Sequence, residues 1–203
     1  MRFKRLFLII FLTFFFLFSP KQQSFNYIMA ESDPGAYVIE ITKQAIDTLT
    51  DQSITSKEKE IHFGELFDKN FDVPSIARFV LGKYWKKIST DKKKEFIKAF
   101  RDYVVKTYST KFDEYSGEKL QLVNFENESN PKIFLVHTIL QTGGDSVVKV
   151  DWRIGEKKDR FVILDIIIEG ISLAITQRSE FVSVIDQNDG NVNQLIAILK
   201  EKS

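Results

Sequence analysis

The sequence predicts an α+β domain in which helices come first, antiparallel strands follow and helices close the chain. Three observations predict it. From Asp33 to Tyr108, apolar residues recur three and four apart. From Leu120 to Ile168, short apolar segments are separated by turn residues, and one of them, Val147 to Ile154, alternates strictly. From Arg178 onward the helical period returns, broken once at Asn188-Asp189-Gly190.

Asp33-Pro34 opens the first helix, which carries Val38, Ile41, Ala45 and Leu49 on one stripe. Thr55-x-x-Glu58 is a capping-box pattern ahead of a second helix bearing Ile61, Phe63, Leu66 and Phe67. Asp72 is placed to cap a short third helix, with Pro74 in its first turn where a missing N–H costs nothing. Thr90 is the expected cap of the longest helix. One face of that helix carries Phe96, Phe100, Tyr103, Val104, Thr107 and Tyr108, and its lysines lie largely off that face.

Gly117 marks the change of period. Four strands are expected, over Leu120–Phe125, Ile133–Thr142, Val147–Ile154 and Arg160–Ile168, with turns at Gly143-Gly144-Asp145 and from Gly155 to Asp159. In the third, Val148, Val150, Trp152 and Ile154 face one way, and Val147, Lys149, Asp151 and Arg153 the other. The fourth is apolar on both faces, the pattern of a more central strand. Two closing helices are expected around Arg178–Asp186 and Val192–Lys200.

The chain has 203 residues, enough for one domain preceded by a targeting segment. Met1-Arg2-Phe3-Lys4-Arg5 is basic, and the apolar run from Leu6 to Phe18 is shorter than the roughly 20 residues that span a bilayer. Residues 1–30 are therefore expected to be a signal peptide, with cleavage after Ala30, and residues 31–203 a single domain. Setting aside the four basic residues of that segment leaves 25 basic against 28 acidic residues, a net charge of about −3. That balance excludes the strongly basic class of nucleic-acid binders. The chain has no cysteine, so it can form neither a disulfide nor a lipid-modified N-terminal cysteine.

No pattern of catalytic residues rises above background. Asp165 and Glu169 share a strand face, but four residues of strand separate their backbones by roughly 13 Å, so separate structural partners are expected. His62 and His137 are the only histidines, and neither has the two or three further ligands that a zinc site needs. Ser172 follows Gly170 without a nucleophile elbow, and Gly143-Gly144 is too brief to cradle a phosphate. Lys83, Lys86, Lys87, Lys92, Lys93 and Lys94 surround Trp85, either as an ordinary solvated face or as a patch for acidic partners or anionic lipid.

Two blocks carry more. The first runs Phe71-Asp72, Ile76-Ala77-Arg78, Leu81-Gly82 and Trp85; the second runs Glu169-Gly170-Ile171-Ser172-Leu173, then Arg178 and Phe181. Between them stand Tyr115-x-Gly117-Glu118 and Val150-x-Trp152-Arg153. In order and spacing the chain resembles the MlaC-type periplasmic phospholipid-binding proteins, the toluene-tolerance family, from about Pro34 to Leu199. One departure is Phe161, where the family often has Trp.

The resemblance implies a curved antiparallel sheet of about four strands packed by helices on one face, a cone like that of nuclear transport factor 2 with a helical addition. It also implies a periplasmic carrier with phospholipid as cargo and no cofactor. The cargo would pass between an outer-membrane lipoprotein complex and an inner-membrane ABC transporter complex, carried by a monomer. Some thirty methylenes of a diacyl lipid bring the cost of crossing water bare to the order of 20 kcal/mol, so a carrier must offer a dry cavity. Candidate lining residues are Ile76, Phe79 and Val80 on the short helix and Phe96, Phe100, Val104 and Tyr108 on the long one. On the strands they are Val136, Val150, Trp152, Ile166 and Ile168. Two other classes stand beside this reading: a small-molecule enzyme of isomerase or dehydratase type using Asp165 as base, and a structural envelope protein with a filled core. Lipid extracted from the purified protein separates the carrier from both.

Overall fold

The computed structural model describes residues 33–109, 118–141, 147–158 and 160–203. The expected signal peptide, Tyr115, Gly117 and the Gly143-Gly144-Asp145 turn lie outside the described residues. Helix α1 spans Pro34–Thr50, α2 Ser56–Asn70 and α3 Val73–Leu81, followed by a 3-10 turn over Gly82–Lys87 and by α4 over Thr90–Ser109. Strands β1 Lys119–Asn127, β2 Ile133–Gln141, β3 Val147–Lys157, β4 Arg160–Ile168 and β5 Ile171–Ser172 lead to α5 Leu173–Asp186 and α6 Val192–Glu201.

Side chains start these helices where the sequence places them. The Asp33 carboxylate accepts from Gly35 N at 2.7 Å and Ala36 N at 2.9 Å, satisfying donors that a first turn leaves orphaned. Thr55 and Glu58 form the reciprocal capping box. Asp72 accepts from Ser75 N at the start of α3. The long helix differs by one residue from expectation. Ser89 caps it, its hydroxyl accepting from Lys92 N at 3.3 Å, and Thr90 is already helical. Helix α5 begins at Leu173, five residues earlier than expected, because Ser172 accepts from Ile175 N at 3.0 Å.

The sheet is antiparallel throughout, in the order β1-β2-β3-β4-β5. β3 runs to Lys157, so the expected turn residue Gly155 lies within the strand, opposite Val162. A Cβ at Gly155 would sit 3.0 Å from Leu164 Cδ1, so close approach rather than turning is what this glycine serves. β4 is buried on both faces as its composition predicts, yet it is the last long strand. Among the described residues, its outer edge pairs with the two residues of β5 and with Phe71, which bridges Ile163 in parallel.

Two apolar cores form. In the first, α2 to α6 pack on one another around Phe96, Phe100, Phe181, Ile185 and Leu195. Phe181 meets Phe96 and Phe100 edge-on at ring separations of 6.2 and 6.1 Å. In the second, Tyr37, Val38 and Ile41 of α1 pack on Val136, Ile154, Phe161 and Ile163 of the sheet. Phe71 touches both. The expectation that Phe96 and Phe100 of the long helix line a cavity with the strands is therefore corrected: they pack on other helices, and α1 is the helix that contributes to the sheet's core.

Two predictions follow from this layout. Burial alone would raise the Asp72 carboxyl, but hydrogen bonds from Lys157 and Ser75 outweigh it and hold it below the usual carboxylate range. A depressed carboxylate contributes stability that is full above its unfolded value of about 4 and is lost as pH falls through the lower folded value. Asp72→Asn is expected to cost about 1–2 kcal/mol at pH 7 and to flatten the acid limb of a stability–pH profile measured by urea unfolding. Thr42 Oγ1 is the buried side-chain polar atom without a partner among the described residues. Thr42→Val is expected to raise the stability of lipid-free protein by about 1 kcal/mol, because it removes an unpaid desolvation.

Candidate functional site

Alternation gives the sheet two unlike faces. One carries Leu120, Leu122 and Phe125 of β1, Phe134, Val136, Thr138 and Leu140 of β2, and Val148, Val150, Trp152 and Ile154 of β3. Phe161, Ile163, Ile166 and Ile168 of β4 complete it. Two bulges keep this face apolar. An extra residue at Val123 shifts β1 so that Phe125 follows Leu122 onto the same side, and Leu164 does the same between Ile163 and Ile166.

Helix α1 covers only part of this face. Val136, Ile154 and Ile163 beneath it are fully buried, at 0 % exposure. On the same face Val148, Trp152, Ile166 and Ile168 are half-buried, Trp152 and Ile166 at the margin of the core that α1 forms with the sheet, and Leu122 and Phe125 of β1 are 41 % and 40 % exposed. A single polar device interrupts the surface. The Trp152 indole donates to Thr138 Oγ1 at 3.1 Å, and the Thr138 hydroxyl donates to the Val150 carbonyl at 2.5 Å. Both polar side chains are thereby satisfied, and the surface offers a hydrocarbon chain no orphaned donor.

The opposite face is charged and engaged. His137 Nδ1 lies 2.8 Å from Asp151, and Arg153 donates to Glu128 at 2.7 Å and to Asp165 at 3.1 Å. The buried Asp165 also accepts from Ser172 Oγ at 2.6 Å and from Ala174 N at 3.0 Å, which ties β4 to the start of α5. Glu169 instead accepts from Lys149 N at 2.6 Å. The two carboxylates therefore have separate structural partners, and Asp165 is turned away from the apolar face where an acid–base role would need it. Among the described residues no group of three His, Asp or Glu is placed to hold a metal, and no helix is long and apolar enough to cross a membrane.

The structure divides the twelve residues singled out from sequence. Val136, Val150, Trp152, Ile166 and Ile168 share the apolar sheet face. Val80, Phe96 and Phe100 are sealed in the helical core instead, at 0 %, 0 % and 3 % exposure, and Ile76 and Val104 pack at its margin. Phe79 faces outward, with the Arg178 guanidinium 5.1 Å from its ring centroid. Tyr108 is half-buried, and that burial, with Tyr103 and Glu180 nearby, pushes its phenol up to about 12. Helical periodicity separates Phe96 and Phe100 from solvent but cannot say whether a helix or a sheet lies opposite. Leu122, Phe125 and Leu140 were missed. Strand alternation finds Leu140, but the bulge at Val123 breaks the period that would link Leu122 to Phe125.

The six-lysine patch also divides. Lys83 pairs with Asp186 at 2.9 Å, Lys92 with Glu95 at 2.7 Å and Lys94 with Asp91 at 3.6 Å. Lys87 lies over the Tyr84 ring and Lys93 over the Trp85 ring.

A family model described as MlaC protein matches residues 39–201. The fold is also that of a phospholipid-binding protein from Ralstonia solanacearum, whose structure was solved in complex with a phospholipid. The likeness has a TM-score of 0.72 at 18 % identity and covers 84 % of this chain and 97 % of that one.

Replacing Asp165 by Ala leaves Arg153, Ser172 and the Ala174 amide short of an acceptor. The expected cost is about 2–4 kcal/mol in urea unfolding, with lipid per folded molecule unchanged, because the carboxylate lies on the charged face.

Proposed function

This chain belongs to the MlaC protein family, and from that membership we propose that it is a phospholipid-binding carrier of the bacterial periplasm. The single observation that carries the reading is the sheet face that α1 covers only in part. Trp152, Ile166, Ile168 and Val148 form a continuous apolar surface that remains half-buried. Contiguous apolar surface left outside a sealed core is uncommon in a monomer and marks a place where something binds. Acyl chains suit it, because a surface of branched aliphatic and indole groups recognises hydrocarbon volume and gains about 0.8 kcal/mol per buried methylene.

On this reading Val150, Trp152, Ile166 and Ile168 line the cargo site with Leu140 and Val148. Val80, Phe96 and Phe100 hold the helical core that keeps the sheet in place. No residue forms a covalent bond with the cargo. The N-terminal export segment, residues 1–30, delivers the chain to the periplasm as a freely diffusing monomer. There it exchanges lipid with an outer-membrane lipoprotein complex and an inner-membrane ABC transporter complex, the two partners that the family resemblance implies.

Protein exported to the periplasm and purified without detergent is expected to show, by native mass spectrometry, adducts of phospholipid mass that organic extraction removes. Val150→Asp is expected to lower lipid per folded molecule by at least about tenfold, since a buried carboxylate is incompatible with acyl chains. Phe100→Ala is expected to cost about 3–5 kcal/mol of stability while leaving that ratio unchanged. Folded protein that is always bare would overturn the carrier reading, and unchanged lipid in Val150→Asp would move the cargo off this face.

A further inference from the structure

The two sequence blocks meet at a second feature, on the outside of the helical layer. A groove of about 250 Å³ opens between α3, the 3-10 turn that follows it and α5. Phe79 and Trp85 supply its aromatic surface, and Arg78, Lys86 and Arg178 supply three cations, with no acidic residue in the lining. Neither Arg78, Lys86 nor Arg178 takes part in any of the ion pairs found among the described residues, whereas Lys83, Lys92 and Lys94 nearby all do. Of the carboxylates beside the groove, Asp72 accepts from Ser75 Oγ and pairs with the Lys157 ammonium at 2.9 Å, and Asp186 pairs with Lys83 at 2.9 Å, so each is already engaged.

The groove is built rather than incidental. Gly82 has φ +56°, a conformation that side chains resist, and a Cβ there would lie 3.1 Å from Arg178 Nε. The glycine thus lets the guanidinium lie down between its backbone and the Phe79 ring, whose centroid is 5.1 Å away. An arginine held this way keeps its charge at the groove with less rotamer freedom left to lose. Lys93 adds a fourth cation beside Trp85, 5.6 Å from the ring centroid.

We propose that this groove is a docking site for an acidic segment of a protein partner, one carrying glutamate or aspartate beside an aromatic side chain. Charge complementarity selects the acid: uncompensated cations around a hollow attract carboxylates and steer their approach. Size selects a segment over a free metabolite, because small-molecule pockets run about 300–1,000 Å³ and enclose their ligand, whereas this groove is smaller and open. Concavity selects a protein over a bilayer, since an interfacial membrane anchor presents bare aromatics, whereas here Trp85 is half-buried beneath Lys93 and the outward-facing Phe79 ring carries the Arg178 guanidinium over it. The proposal extends the carrier reading by giving it a contact surface separate from the cargo face.

The test uses a fluorescein-labelled peptide of alternating glutamate and phenylalanine, titrated by fluorescence anisotropy against lipid-loaded protein. Saturable binding that weakens as salt rises is expected. Arg178→Glu and, independently, Lys86→Glu should each weaken it by roughly tenfold, with the glutamine version of the peptide not binding. Lys86 is exposed and in neither apolar core, so the second variant reads the groove even if the first unfolds. Equal binding by wild type and Lys86→Glu, no saturable binding up to about 1 mM peptide, or loss of binding to phosphatidylglycerol vesicles in place of peptide would each overturn the proposal. Lipid per folded molecule is expected to be the same in both variants and wild type, so a failed groove leaves the carrier standing, and bare protein with intact peptide binding does the reverse.

Discussion

Phe71 and Asp72 solve a problem that the fold creates at the outer edge of β4. The strand is buried on both faces, and an unpaired edge there would strand backbone groups away from water. The chain between α2 and α3 runs alongside it, so that Phe71 bridges Ile163 and Asp72 N donates to the Ile163 carbonyl at 3.1 Å. The Phe71 ring then packs into both apolar cores, and the Asp72 side chain starts α3 and binds Lys157 from the end of β3. Two adjacent residues thereby fix the helical layer against the sheet. At the other end of the same strand, Asp165 repeats the device by joining Arg153, Ser172 and the first turn of α5.

Much of this was legible in the sequence, and the legible part was local. Asp33, Thr55 and Asp72 act as caps because a short oxygen-bearing side chain and the first-turn amides settle the matter within four residues. The alternation of Val148, Val150, Trp152 and Ile154 placed four side chains on one face correctly, because the bulge beside them falls on β4 and leaves β3 in phase. What was illegible depended on partners distant in sequence. The two sheet bulges, the in-strand role of Gly155 and the bridge at Phe71 are properties of pairs, and one strand's pattern does not name its neighbour. Phe96 and Phe100 were grouped with strand residues as cavity lining for the same reason. Periodicity identifies a buried face, and Phe181, which fills the space opposite, lies some eighty residues further along the chain.

Keeping two cores apart has an energetic consequence for a carrier. A diacyl lipid brings on the order of 20 kcal/mol of burial, more than the roughly 5–15 kcal/mol by which domains are usually stable. Were cargo and core the same side chains, loss of the lipid would empty the core and the protein would open with it. Here the stacked aromatic and aliphatic contacts of Phe96, Phe100, Phe181 and Ile185 do not need the lipid. The sheet keeps its register through strand pairing and through the charged contacts on its far face. The apolar face can therefore stand partly wet between loads, at a cost spread over a few half-buried side chains.

The same separation constrains how lipid could leave. α1 is the helix that contributes to the sheet's core: Val38 and Ile41 reach the sheet, Leu49 near its end is buried, Thr42 carries an unpaired hydroxyl among the described residues, and the last turn has no basic residue to balance its carbonyls. Tyr37 anchors its first turn by donating to the Asn70 carbonyl at 3.2 Å and by lying 5.5 Å from the Phe161 ring, and burial pushes its phenol up to about 12. Among the described residues no strand pairing runs through α1, so the sheet's ladder does not depend on that helix. A partner that held the outside of the helical layer would leave both α1 and the apolar sheet face untouched, because contact there meets the helical core and not the one α1 forms with the sheet.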